Sequence, residues 1–249
     1  VAASEAIADE TDCGLCAVYM LGGVSVAKTR ELCSVVNEPF VFEGASGVLL
    51  LSRFPIEEPS AFLAPSTLVR REIVHARVRH PTGAAADVFC GYSPPIPAFP
   101  RYAGVYGAGA TSAQAWRNER KLYFQRLKEW VDATQRAPRS LVMGGFGTSP
   151  SSDTSAGLEP DDYAGLIQQF PLAAPAEFVP VCTVCESSPL VEVPSVFADF
   201  VTYRGAAVPL GVEITRQDLV VQVKDALGQD LGLPLSSHYG FRSRLRILP

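Results

Sequence analysis

Two Cys-x-x-Cys pairs, Cys13/Cys16 and Cys182/Cys185, have the spacing that grips zinc or closes a small disulfide. Cys13 and Cys16 lie in an apolar, strand-like run, where residues three apart point to opposite faces. They do not hold one ion without a bulge. Cys182 and Cys185 fall in a loop and can chelate or cross-link. With Cys33 and Cys90 they read more simply as small buried hydrophobes in a reducing compartment. Asp161-Asp162 is the densest acid pair, but it opens a short helix to Gln168, where acids suit the positive end of the dipole. That role is favoured over a metal site. Arg242, Arg244 and Arg246 share one strand face, and Arg71 and Arg77 share another. Such rows suit a phosphate or an RNA backbone, although solvated arginines or ion pairs explain the same spacing.

The residues that should carry chemistry are missing from the place that should hold it. The apolar run Leu141-Val142-Met143 stops at Gly144-Gly145 and reads as a buried strand ending in a tight loop. In open α/β sheets, chemistry gathers in such loops. This one is Gly-Gly-Phe-Gly-Thr-Ser-Pro, with no acid, base or nucleophile stronger than a hydroxyl.

The remaining chain supplies the scaffold. With 249 residues, 47% of them hydrophobic, it can bury a substantial core, and no linker divides it, so residues 1–249 read as one domain. The net charge of -5 argues against a dedicated nucleic-acid binder. No apolar run approaches the ~20 residues of a transmembrane helix, and no targeting peptide is visible. An intracellular compartment, cytosolic or organellar, is favoured. Helices are expected over Val1–Thr11 and Ser25–Val36, with a buried strand Cys13–Met20 between them. A second buried strand is expected over Gly47–Arg53, stopped by a turn at Pro55. Arg70–Arg79 alternates as a half-exposed strand, with Val74, Ala76 and Val78 on one face and Arg71, Ile73, His75, Arg77 and Arg79 on the other. His80–Gly83 is its turn and Ala86–Tyr92 its hairpin partner. After the long loop Pro94–Gly109, Thr111 or Ser112 caps the longest helix, to about Thr134, with Trp116, Leu122, Tyr123, Leu127, Trp130 and Val131 as its apolar stripe. Val196–Tyr203, Leu219–Val223 and Tyr239–Ile247 are further strands.

Six segments in order resemble the endonuclease/exonuclease/phosphatase superfamily, most closely its neutral-sphingomyelinase-like branch. They are Ser46–Ile56, the hairpin Arg70–Tyr92, the long helix, Leu141–Pro150, Ala198–Val201 and Ser236–Gly240. The resemblance spans about residues 2 to 248. It implies an α/β four-layer sandwich, two packed mixed sheets flanked by helices. The family's first strand would precede Val1, and its place is expected to be filled by an upstream segment or by a neighbouring chain. The resemblance also implies magnesium-dependent cleavage of phosphate esters. A Glu holds the metal, an Asp and an Asn hold nucleophile and phosphate, and an Asp-His pair activates water.

Residue by residue, that set has thinned. Ala17 stands where the metal-binding Glu belongs, Gly145 and Gly147 where the Asp and Asn belong, and Gly91-Tyr92 where the family has Thr-His. Ser237 stands where the acid beside His238 belongs. Asp199 and His238 survive, Asp199 as a cap or bridge and His238 as a core histidine without its orienting acid. Magnesium needs an oxygen cage with at least one carboxylate, which these positions do not provide. The leading expectation is therefore a catalytically inactive phosphodiesterase-like domain, with no cofactor and no bound metal, acting as a structural or binding subunit beside other protein subunits. One alternative is an active magnesium-dependent phosphodiesterase rewired around Asp199, His238, Glu43 or Asp161-Asp162. Another is an RNA- or phosphate-binding module using the arginine faces.

Overall fold

The computed structural model describes residues 48–67, 71–93, 102, 104–109, 111–151, 158–179, 181–186, 195–215, 220–224, 229–234, 236 and 238–248. The elements expected before residue 47, with Ala17, Glu43, Cys13, Cys16 and Cys33, lie outside them, as does Ser237. Nine strands and two helices follow in the order β1 (Ile56–Ala64), β2 (Arg71–Arg79), β3 (Ala85–Tyr92), α1 (Ser112–Thr134), β4 (Ser140–Gly145), α2 (Pro160–Gln169), β5 (Asp199–Arg204), β6 (Ala207–Thr215), β7 (Val220–Lys224), β8 (Asp230–Pro234) and β9 (Gly240–Ile247) among the described residues. No helix among them is long and apolar enough to cross a membrane. The chain groups into two compact units of interleaved segments. One comprises 1–48, 62–73 and 96–132, and the other comprises 49–61, 74–95 and 133–249.

The first unit holds most of α1. Thr111 caps it by accepting the Gln114 N–H at 3.2 Å, the bond expected of an N-cap threonine. Trp116, Tyr123, Leu127 and Val131 are buried as the helical period requires, whereas Leu122 and Trp130 are half-buried. Glu119 is buried on the same helix, which its charge does not suggest. Its carboxylate accepts the Thr67 N–H at 3.0 Å and the Tyr102 hydroxyl at 2.8 Å, so the cost of burying it is offset by hydrogen bonds.

The second unit is built on a mixed sheet of order β1-β2-β3-β4-β5. β2 and β3 form the expected hairpin, closed by His80–Gly83 with Gly83 at φ +86. β3 runs parallel to β4 and β4 antiparallel to β5. Side chains alternate across the sheet. One face carries the cross-strand row His75, Phe89, Val142 and Thr202, all buried. Phe200 on this face meets Phe146 at 5.1 Å, Phe197 at 5.5 Å and Tyr163 of α2 at 5.5 Å between ring centroids. The other face presents Leu141, Met143 and Val201. Across a cavity of about 840 Å³ they confront Ile214, Phe241, Ser243 and Leu245 of the antiparallel β6–β9 pair. The second unit is thus a sandwich of two facing sheets, the central layers of the expected mixed α/β fold.

Two strand expectations need correction. Val48–Pro55 contains no strand, and Leu49 and Leu51 are 74% and 80% exposed. An apolar run without a period names no partner, and the edge of the sheet is taken instead by β1. That strand carries Pro59, Glu57 and Glu58, residues that suit an edge because Pro donates no ladder bond and charge discourages further pairing. β2 is also not half-exposed. Ile73 and His75 on one face are 0% and 3% exposed, and Ala76 on the other is 2% exposed, so both faces are covered.

Candidate functional site

The strand register brings the surviving residues together at one end of the sheet. Tyr92, Gly145 and Asp199 stand side by side on β3, β4 and β5, all on the face that turns away from His75 and Phe89. The loop after β4 is held in place by its own hydroxyls. Thr148 Oγ1 donates to the carbonyls of Leu158 and Glu159, at 3.0 and 2.7 Å, and Ser149 Oγ accepts the Leu158 N–H at 2.8 Å. Gly144 has its Cα against the neighbouring strand: a Cβ there would sit 1.8 Å from the Gly91 carbonyl oxygen. Gly147 has φ +53, a conformation that disfavours side chains.

Asp199 and His238 form a pair. Asp199 Oδ2 lies 2.7 Å from His238 Nδ1, with their side chains 22% and 35% exposed. The expectation that His238 has lost its acid is corrected: the acid comes from β5, not from the neighbouring position 237. Asp199 is itself placed by Thr183, whose Oγ1 accepts the N–H groups of Ala198 and Asp199, each at 3.0 Å. Val184 bridges to His238, and Tyr239 N–H donates to the Thr183 carbonyl at 2.7 Å. The short turn between the two partners is closed by a disulfide, Cys182–Cys185. This corrects the reading of these two cysteines as simple buried hydrophobes. Their spacing in a loop lets the sulfurs meet, as alternating strand positions do not.

The hydrogen bond and charge of Asp199 raise the pKa of His238, against the opposing effect of burial. A folded-state pKa above the unfolded value of about 6.5 contributes stability below that pH, and the contribution disappears as pH rises through the folded value. An NMR titration of the His238 ring is expected to give a midpoint above 6.5, falling in Asp199→Asn. An unchanged midpoint in that variant would show that the pair is not formed in solution.

Among the described residues, the donors at this end of the sheet do not fit magnesium. Gly145 and Gly147 offer no side chain, Thr148 and Ser149 have their oxygens engaged, and the carboxylate of Asp199 is turned to His238. The space at Gly145 is also tight: a Cβ there would lie 2.7 Å from Asp199 Oδ1 and 3.1 Å from the Tyr92 ring. No group of three His, Cys, Asp or Glu side chains able to hold a metal occurs among the described residues. Asp161 and Asp162 lie in the first turn of α2, as a helix start requires.

The arginine rows separate into two cases. Arg242, Arg244 and Arg246 are exposed on one face of β9, as their alternation implies, with Arg242 3.2 Å from Glu213. On β2, Arg71 is half-buried, and Arg77 donates to Glu58 at 2.8 Å and lies 3.5 Å from Asp87. Arg71 and Arg77 are therefore part-buried, less exposed than the arginines of β9. Sequence reasoning also missed the buried His75–Asp87 pair at 2.9 Å, which only the β2–β3 register reveals.

No protein-family model matches the chain, and no curated protein matches it. Its fold does match solved structures. One is an endonuclease/exonuclease/phosphatase from Beutenbergia cavernae, at 16% identity and a TM-score of 0.51, covering 79% of this chain and 46% of that one. Another is beta toxin from Staphylococcus aureus with bound magnesium ions, at 10% identity and a TM-score of 0.54, covering 77% of this chain and 65% of that one. The chain thus spans less than two thirds of either protein. Taken with the sandwich of mixed sheets, these matches show that the chain has the fold of the endonuclease/exonuclease/phosphatase superfamily.

Proposed function

We propose that the chain is a phosphodiesterase-like domain that has lost phosphodiesterase activity and serves as a structural or binding subunit of a larger protein assembly. The observation that carries this reading is the crowded space at Gly145. Where the resemblance calls for an acid, the backbone has no side chain, and a Cβ there would already press on the Asp199 carboxylate at 2.7 Å and the Tyr92 ring at 3.1 Å. Each lost acid or base costs about 10²–10⁴ in rate, and the losses need not add. With magnesium or manganese supplied, the protein is expected not to hydrolyse sphingomyelin vesicles, DNA, RNA or bis(p-nitrophenyl) phosphate above background. Metal-dependent turnover that disappears in His238→Ala would overturn the proposal.

The Asp199–His238 pair favours a second reading, an active phosphodiesterase with a rewired site. A carboxylate 2.7 Å from Nδ1 sets the tautomer and leaves Nε2 to handle a proton. The same assay decides between the two readings, because only the second predicts turnover that depends on His238.

A further inference from the structure

Ser60, His75 and Asp87 form a continuous hydrogen-bonded chain that the phosphodiesterase-like site does not use. Ser60 is exposed on the edge strand β1, and its Oγ lies 3.0 Å from His75 Nδ1. His75 Nε2 lies 2.9 Å from Asp87 Oδ1. His75 and Asp87 are 3% and 0% exposed. The second oxygen of Asp87 accepts the N–H groups of Arg136 and Ala137, at 2.7 and 2.6 Å. Burial pushes the Asp87 pKa up, but these bonds and the one from His75 prevail and hold it below the usual value. An ionised Asp87 keeps the hydrogen on Nε2. The Nδ1 lone pair then faces the Ser60 hydroxyl.

This is the order of nucleophile, base and orienting acid that activates a serine, with the two ring nitrogens exchanged relative to serine proteases. A purely structural network accounts for His75 and Asp87, yet two observations go beyond it. The chain ends on an exposed hydroxyl rather than on a buried one. In addition, Arg77 sits two residues from His75 on the same face of β2, and its Nη2 is buried with no hydrogen-bond partner among the described residues. Its Nη1 is held by Glu58 at 2.8 Å. Glu58 has φ +50, an unfavourable conformation for a residue with a side chain, two positions before Ser60. Buried donors are nearly always satisfied, so an orphaned guanidinium N–H two residues along from the base His75 points to an acceptor that arrives with a ligand.

We propose that Ser60, His75 and Asp87 form a serine-nucleophile site for small carboxylic esters, with Arg77 as the donor to the oxyanion. Ser60 Oγ attacks the ester carbonyl carbon while His75 Nδ1 takes the hydroxyl proton. The carbonyl π electrons move to oxygen, where Arg77 Nη2 meets the developing charge. Collapse breaks the bond to the alkoxy group, which leaves with the proton from His75 as an alcohol. Water, deprotonated by His75, then attacks the acyl-serine and releases the carboxylic acid and free Ser60. The sum is ester plus water to acid plus alcohol. Ser60 stands in the open on an edge strand, which suits small acyl groups. The site is distinct from the Asp199–His238 pair. Asp87 and Tyr92 lie five residues apart along β3, roughly 17 Å, with side chains on opposite faces.

The test uses the whole chain, a fluorophosphonate reporter and p-nitrophenyl acetate. The reporter is expected to attach to Ser60, located by peptide mass spectrometry. Ser60→Ala, an exposed change, should leave the unfolding transition in place and lower acetate hydrolysis about 100-fold or more. Arg77→Gln should lower kcat about 100-fold, the usual effect of losing one oxyanion donor. A folded protein that carries no adduct at Ser60 overturns the proposal, as does ester hydrolysis unchanged in Ser60→Ala.

Discussion

Asp87→Ala is expected to be among the most destabilising single changes in the chain, at about 3–5 kcal/mol, the range found when one member of a buried charged pair, here the Asp87 carboxylate 3.5 Å from Arg77, is removed. The carboxylate has no exposed surface and takes hydrogen bonds from His75 and from the N–H groups of Arg136 and Ala137. Its loss leaves all three donors, and the adjacent Arg77, without their buried acceptor. Against a typical domain stability of about 5–15 kcal/mol, such a loss threatens folding itself. The expected result is a large drop in the urea midpoint at pH 7. Asp87 also sets an acid limb. Its folded pKa lies below the ordinary 3.8, so its contribution is complete above about pH 4 and is lost as pH falls through the folded value. An Asp87→Ala protein with a wild-type midpoint would show that the network carries no stability.

Gly145→Asp, which restores an acid at the position where the resemblance calls for one, is expected to lose stability rather than gain activity. The new Cβ would stand 2.7 Å from Asp199 Oδ1, and the Tyr92 ring closes the space at 3.1–3.2 Å. Overpacking of this kind costs about 1–3 kcal/mol. A second carboxylate beside Asp199 adds like-charge repulsion and weakens the bond from Asp199 to His238. The variant is expected to unfold at lower urea than the wild type and to show no magnesium-dependent hydrolysis. Truncating Tyr92 in the same chain, as Gly145→Asp with Tyr92→Ser, should return part of the lost stability. A single Gly145→Asp variant of wild-type stability that turns over a phosphodiester with magnesium would show that the site is one substitution from activity, and would refute the view that its neighbours have closed it.

Much of the scaffold could be read from the residues alone, for local reasons. The 3.6-residue period of Trp116, Tyr123, Leu127 and Val131 and the cap Thr111 define α1 within the chain, and α1 spans Ser112–Thr134. The turn His80–Gly83 needs only Gly83 at positive φ, and the alternation of Arg242, Arg244 and Arg246 needs only the two-residue period of a strand. Motif order was enough to recognise the superfamily fold, because order and spacing are properties of the chain itself. What the sequence left open was pairing between distant segments. Nothing near His238 says that its acid is Asp199, 39 positions earlier, since that depends on β5 ending beside the turn at Thr183. Nothing in the alternation of Arg71, His75 and Arg77 says whether β2 is an edge or an inner strand, so it could not tell solvated arginines from buried ones. The same period fits both, and only the layers packed over each face decide which one meets water. The run Gly47–Arg53 had the composition of a buried strand, but composition carries no register. The sheet took Ile56–Ala64 as its edge, and with it placed Ser60 against His75.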